Sequence, residues 1–321
     1  RRADGLCARG DEGELPEDPG QLVLAVDAAD PPRAKLRLER IDADPPFWER
    51  MLSGERRLGR TWARRFPPTE PVTLAYDATH RALIASLLAS KEWRGLFASG
   101  AELPPGLGIG YDERVVEYPW LFSRGLRGRV LDAGSVLNHR HVVEAILEEV
   151  DELTITTLAP EPVAFISMAV SYLFADLREL PLRDDWFDEV VCLSTLEHVG
   201  MDTAVYGVDT GRAADPGEEA ARALRELLRV TKPGGRIHLS VPFGRSEDLG
   251  WLRQLDRDEV GELFDRAGAD RREETIFLFS SEGWRSATAA EAAEATYNSS
   301  PGRAPDLAVA ARAVLCATIF A

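Results

Sequence analysis

The residues best equipped for chemistry sit in one short stretch, Thr195-Leu196-Glu197-His198-Val199, directly after an apolar run at residues 190–194. An imidazole titrates near neutrality, so His198 can take a proton from a hydroxyl nucleophile, and Glu197 beside it can orient or polarise the same group. From the residues alone, His198 serves either as this base or as a support for its loop. Glu197, His198, Asp202 and Asp209 also form an acidic patch that could hold a hard divalent cation. Their spacing matches no established metal pattern, so a divalent metal and a solvated acidic loop both stand. His238 lies inside a strand-like run and reads as a core residue. His139 and His141 flank Arg140 without an assigned role, and His80 has none.

These groups need a frame. Apolar strand-like runs at residues 129–131, 153–157, 190–194, 236–241 and 314–320 alternate with helical stretches, which implies a parallel sheet covered on both faces. Ligands bind such α/β sheets at the carboxyl ends of the strands. One such end is Arg129-Val130-Leu131-Asp132-Ala133-Gly134-Ser135, where a glycine lets the backbone approach a ligand and Asp132 can hold an ammonium or hydroxyl. A helix over roughly residues 139–149 follows. A second amphipathic helix near residues 223–231 stops at Lys232-Pro233-Gly234-Gly235.

The order VLDAG, then ADLRELPLRDDWFDEVVCLSTLEHV, then RALRELLRVTKPGGRIHLSVP resembles class I S-adenosylmethionine (SAM)-dependent methyltransferases of the type 11 group. The resemblance implies a Rossmann-like seven-stranded sheet with an antiparallel final strand, the last hairpin falling on residues 275–280 and 314–320. It implies SAM as cofactor. Asp132, Gly134, Ser135 and Asn138 would form the binding turn near the methionine moiety. Asp176 would accept from the adenine amine, with Leu177 offering its backbone, and Thr195 and Leu196 would line the cofactor. Arg114 or Tyr118 would reach the SAM carboxylate. The chain departs from the pattern twice: Val136 and Asn138 stand where further glycines are usual, and Thr157 stands where an acid grips the ribose, with Glu161 nearby.

Composition limits the partners. With 38 Lys+Arg against 54 Asp+Glu, the net charge is −16, which repels nucleic acid and anionic membranes. The arginine cluster Arg56, Arg57, Arg60, Arg64 and Arg65 reads as a solvated helix face. Three scattered cysteines make neither a disulfide framework nor a thiolate metal site. No apolar run approaches the ~18 residues of a membrane helix, and the acidic, Gly/Pro-rich start has no apolar signal core, so a cytoplasmic protein is expected.

Residues 1–109 read as a small α+β cap or oligomerisation region, and 110–321 as the methyltransferase domain. The first part holds two strands about the turn Asp30-Pro31-Pro32, an arginine-rich helix over 46–66, a helical stripe over 80–97 and a linker over 95–110. A homo-oligomer is compatible with it. The expected activity is O-methylation of a hydroxyl on a small molecule: a sugar, nucleotide-sugar or glycosylated natural product. Trp284, Arg285, Tyr297 and Asn298, in an insertion over 283–308, suit stacking on sugar faces and reading hydroxyls. The long connection over 200–219 suits a substrate lid. Two alternatives are an NAD-type oxidoreductase, whose glycine fingerprint is missing after Gly134, and a non-catalytic binding protein of the same fold.

Overall fold

Runs of β-branched and apolar residues that must be buried on both faces form the middle of one mixed sheet. The computed structural model describes residues 21–26, 36–41, 74–204, 211–299 and 310–321. Five parallel strands make one half of that sheet: β3 (Arg129–Ala133), β4 (Glu152–Thr157), β5 (Ser171–Phe174), β6 (Phe187–Leu193) and β7 (Thr231–Pro242). Three antiparallel neighbours complete it: β8 (Arg272–Ser280), β9 (Gly283–Ala287) and β10 (Ala313–Phe320). The spatial order is β9-β8-β10-β7-β6-β3-β4-β5. The antiparallel hairpin of β8 and β10 falls where it was expected. The sheet nevertheless has eight strands, because β9 adds an edge strand at the start of what read as an insertion.

The chain leaves β3 toward β4 and β5, then crosses back to β6 on the other side. That reversal opens a crevice at the carboxyl ends of β3 and β6, where an α/β sheet binds ligands.

Before the sheet lie the antiparallel hairpin of β1 (Gln21–Val26) and β2 (Leu36–Ile41), then α1 (Leu74–Ala89) and α2 (Lys91–Ser99). The turn at Asp30 and the arginine-rich stretch over 46–66 lie outside the described residues. The stripe over 80–97 is two helices, because Ser90 caps the second by accepting from Trp93 N; Gly95, assigned to a linker, lies within α2. Among the described residues five further α-helices follow: α3 (Arg114–Ser123), α4 (Arg140–Ile146), α5 (Pro216–Val230), α6 (Arg257–Ala267) and α7 (Ala289–Ala292).

Helices cover both faces of the sheet. Leu83, Ile84, Trp93 and Phe97 of α1 and α2 share an apolar cluster with Trp120 of α3, Val142 of α4 and one sheet face. On the other face Leu224 and Leu227 of α5 and Phe264 of α6 pack against Leu131, Val190 and Ile237. Helix α5 starts where Asp215 accepts from Glu218 N, with Pro216 in the first turn. Its buried Ala220, Ala223, Leu224 and Leu227 recur at the three-to-four spacing of one helix face.

At the amino end of β6 and β7 the buried polar groups are mutually paired. His238 is in the core, as expected, with Nε2 3.0 Å from Glu189 Oε2 and Nδ1 3.0 Å from Thr318 Oγ1. Arg236 donates to both Glu189 oxygens and to the carbonyls of Arg124 and Gly125. Cys192 and Cys316 are buried free thiols. Among the described residues no helix is long and apolar enough to cross a membrane.

Candidate functional site

Three strand ends are pinned together at the crevice. Gly134 has φ +114°, and a Cβ there would lie 2.2 Å from Thr195 Oγ1, so only glycine allows the β3 turn to meet the β6 loop this closely. Gly134 N also donates to Thr156 O at 2.9 Å, tying in β4. Ser135 and Ser194, on the two lips, hold positive φ of 64° and 41° without being glycine. Such backbone costs roughly 1–3 kcal/mol per residue and persists where surrounding structure imposes it.

Above these ends lies a cavity of about 680 Å³, within the roughly 300–1,000 Å³ of small-molecule sites. Gly134, Ser135, Thr157, Asp176, Leu177, Thr195 and Arg114 border it, as do Glu197 and His198. Asp132, Asn138 and Tyr118 stand behind its wall, and Leu196 is buried. Asp132 is wholly buried; Oδ2 accepts from Leu137 N at 2.8 Å, and Oδ1 has no partner. Tyr118 Oη donates to Val136 O at 2.6 Å. Asn138 donates to Glu161 Oε2 at 2.9 Å and Val163 O at 3.0 Å, and accepts from Tyr172 Oη at 2.8 Å. These three side chains therefore brace the loop over 136–138, where further glycines were expected.

Arg114 pairs with Glu117, whose Oε1 accepts from Ser194 Oγ at 2.7 Å and Ser240 Oγ at 2.5 Å. Burial opposes the charge of Arg114, but Glu117 and neighbouring acids outweigh it and keep the guanidinium protonated. Glu161 borders the cavity from the loop after Thr157. Asp176 is gripped by Arg178, which donates from Nε at 3.0 Å and Nη2 at 2.6 Å and also reaches Glu219 at 2.7 Å. Burial would raise the Asp176 carboxyl, yet Arg178 holds it below the ordinary range. Arg178 had no role in the sequence reading, although an arginine two residues after the acid was visible there.

The far corner holds Glu197 and His198. His198 Nδ1 lies 2.8 Å from Trp251 O; a carbonyl only accepts, so Nδ1 carries the hydrogen and Nε2 the lone pair. The imidazole stacks on Trp251 with centroids 5.2 Å apart and planes at 28°. Burial pulls its pKa down to about 4, so the ring is neutral at pH ~7. Glu197 Oε1 is 3.9 Å from His198 Nε2, and Oε2 is buried without a partner. Burial pushes the Glu197 carboxyl well above its usual range, and pushes Asp132 to about 8. Asp202 is exposed and accepts from Ala204 N; Asp209 lies outside the described residues. Among the described residues no group of three or more carboxylates, imidazoles or thiols could hold a metal.

Two groups expected to meet a sugar are engaged elsewhere. Trp284 is a core residue, 1% exposed, and donates Nε1–H to Tyr111 O at 3.0 Å, because β9 pairs with β8 and turns it inward. Arg285 binds Glu291 at 2.9 Å. Tyr297 does border the cavity, beside Trp251, which no spacing pattern had marked.

The wall suits the expected cofactor. Unpartnered buried oxygens at Asp132 Oδ1, Ser135 Oγ and Thr156 Oγ1 cluster at the strand ends, and acids at 161 and 176 border the same space. An amino acid joined to a nucleoside presents ammonium, hydroxyl and ring-amine donors to such acceptors.

Residues 141–239 match the family model described as a methyltransferase domain. A comparison with curated proteins finds no match. Solved structures similar in fold include a Burkholderia thailandensis 1,6-didemethyltoxoflavin-N1-methyltransferase with S-adenosylhomocysteine bound. It is 17% identical, over 79% of this chain and 93% of that one, with a TM-score of 0.42. A SAM-dependent methyltransferase from Thermotoga maritima is 18% identical over 74% and 99%, TM-score 0.40. One from Methanosarcina mazei is 14% identical over 62% and 96%, TM-score 0.39.

Proposed function

We propose that this chain, in which residues 141–239 match a methyltransferase domain, is a SAM-dependent methyltransferase that methylates a hydroxyl of a small molecule held at the Glu197–His198 corner of its cavity. SAM, when bound, supplies an electrophilic methyl on a sulfonium. In this reading the turn at Gly134 and Ser135 holds the methionine moiety, with Asp132 behind it. Glu161 takes the ribose hydroxyls, and Asp176 with the Leu177 backbone takes the adenine.

The observation that carries the reading is the Nδ1–H bond from His198 to Trp251 O. It fixes the tautomer in which Nε2 is the proton acceptor, and Trp251 stacking fixes the plane of the ring. Glu197, whose carboxyl burial pushes well above its usual range, lies beside the same point. A sugar acceptor draws support from Tyr297, which borders the cavity, and none from Trp284 and Arg285, which are engaged elsewhere.

General acid–base groups contribute roughly 10²–10⁴ in rate. His198→Ala should therefore lower kcat by about that factor while calorimetry shows SAM affinity unchanged. An unaltered kcat would remove the base role. Failure of the native chain to bind SAM would end the whole reading.

A further inference from the structure

Asp176 follows the end of β5, where Ala175 N donates to Thr157 O at 3.0 Å and ties the strand to β4. The chain turns there. Arg178 N donates to Asp176 Oδ1 at 2.9 Å, closing an Asx turn in which the carboxyl stands in for a backbone carbonyl. The turn folds the Arg178 side chain back onto Asp176. Its Nε donates to Oδ1 and Oδ2, each at 3.0 Å, and its Nη2 to Oδ2 at 2.6 Å. Nη1 reaches Glu219 Oε2 of α5 at 2.7 Å, so the guanidinium is held from both sides.

An ionised carboxylate has about four acceptor positions and no donor. Oδ1 receives the backbone N–H and Nε–H of Arg178, and Oδ2 receives Nη2–H and a share of Nε–H. The capacity left over is on Oδ2, in a residue that borders the cavity. The charges around it are Arg178 and Glu179 of the turn, and Glu219 and Arg222 of α5, Arg222 lying 3.8 Å from Glu179. Burial alone would raise the Asp176 carboxyl. Hydrogen bonds from Arg178 outweigh it and hold the group below its ordinary range, and Arg222 adds to them. Without Arg178 the burial would remain, and Glu219 would lose the cation between it and Asp176. An acceptor held this way takes an N–H and repels a ring oxygen.

We propose that Arg178 is a positioning residue for base selection: by orienting Asp176 and keeping it a carboxylate, it makes the site take adenine and refuse a base with oxygen in place of the amine. The inference rests on the assignment of Asp176 to adenine in the reading above. Arg178 acts through Asp176, and Glu219 fixes the guanidinium that does so.

The test uses the full chain and two probes, S-adenosylhomocysteine and its deaminated analogue S-inosylhomocysteine, measured in competition by calorimetry. The probes differ only at the base. Other titrating groups of the site, Asp132 and Glu197 among them, therefore weigh on both alike and cancel in the ratio of affinities. The native chain should favour the adenosyl probe by about tenfold or more. That ratio should stay constant from pH ~7.5 down to ~5, because Asp176 stays ionised. In Arg178→Met the carboxyl should begin to take a proton in this range, and a protonated carboxyl donates. The ratio should then shrink by about threefold or more toward pH ~5. Arg178→Gln keeps a hydrogen bond without the charge; it serves should Arg178→Met not fold, and should shrink the ratio in the same sense. Arg178→Lys returns the charge and should return the constant ratio. A ratio as constant in the neutral variants as in the native chain overturns the proposal, as does a native preference smaller than stated. An Asp176→Asn chain that keeps the native preference overturns the adenine assignment. No S-adenosylhomocysteine binding at all overturns the methyl-transfer reading beneath it.

Discussion

The two ends of the central sheet use the same side-chain types to opposite effect. At the amino end Glu189, 1% exposed, has both oxygens bonded, both nitrogens of His238 have partners, and Arg236 spends its donors on Glu189 and two carbonyls. At the carboxyl end Asp132 Oδ1, Ser135 Oγ, Thr156 Oγ1 and Glu197 Oε2 are as deeply buried and have no partner. An unsatisfied buried polar group costs about 1–3 kcal/mol, and a whole domain is stable by only ~5–15 kcal/mol. Three of these groups border one cavity and Asp132 stands directly behind its wall, a burden that a bound molecule can relieve. Buried polar groups thus complete one another at the amino end and leave open acceptors beside the cavity at the carboxyl end.

The largest effect should come from breaking the self-satisfied end. Glu189→Ala leaves Arg236 and His238 without their shared partner. Removing one member of a buried pair costs about 3–5 kcal/mol, seen as a lower urea midpoint with affinity for S-adenosylhomocysteine unchanged in the folded protein. A loss under about 1 kcal/mol would mean that the network does not support the sheet.

Next is the point where the strand ends meet. Gly134→Ala puts a Cβ at φ +114° and against Thr195. The expected cost is about 1–3 kcal/mol of stability. Because the turn must move off the cavity wall, SAM affinity should fall by about a hundredfold, equivalent to ~2.7 kcal/mol. Affinity within a factor of about three of the native chain would detach this turn from the cofactor.

How far this contrast was legible in the sequence depends on the range of the contacts. Strands β3, β6 and β7 and the turn at Gly134 could be read because their burial is written in consecutive residues. Strand β5 escaped notice because it is four residues long and half-exposed. Strand β9 escaped because its inward side chain, Trp284, faces Phe279 across a tight hairpin, which a linear reading cannot tell from a loop aromatic. The braces that replace the missing glycines are Tyr118 to Val136 and Tyr172 to Asn138, 18 and 34 residues apart. Trp251 reaches His198 from 53 residues away. Local pattern located the strand ends below the cavity; the wall at Trp251 is made by tertiary contacts that no spacing announces.

The smallest loss of stability should come from Asp132→Asn, and it separates the two ends most sharply. Burial comes first in pushing this carboxyl to about 8; the Leu137 amide opposes it, Glu161 adds to it, and Arg114 draws it down. The folded pKa lies above the unfolded value of 3.8, so the folded chain keeps a proton that the unfolded chain releases. The associated stability is fully present below the unfolded pKa and is lost as pH rises through about 8. A neutral asparagine of the same shape binds no extra proton in either state, so it should abolish the decline between pH ~4 and ~8 and leave the variant at least as stable as the native chain near pH ~7. Binding should respond in the opposite sense. A cationic ligand favours the carboxylate, so SAM affinity of the native chain should rise between pH ~6.5 and ~8.5, by at most about tenfold per pH unit, with proton release. In Asp132→Asn the rise and the proton release should both vanish, with affinity below that of the native chain at every pH. Calorimetry in buffers of differing ionisation enthalpy reads both. A variant that kept the native pH profile would show that the carboxyl end is not poised by Asp132, and the unpartnered Glu197 would become the group to test.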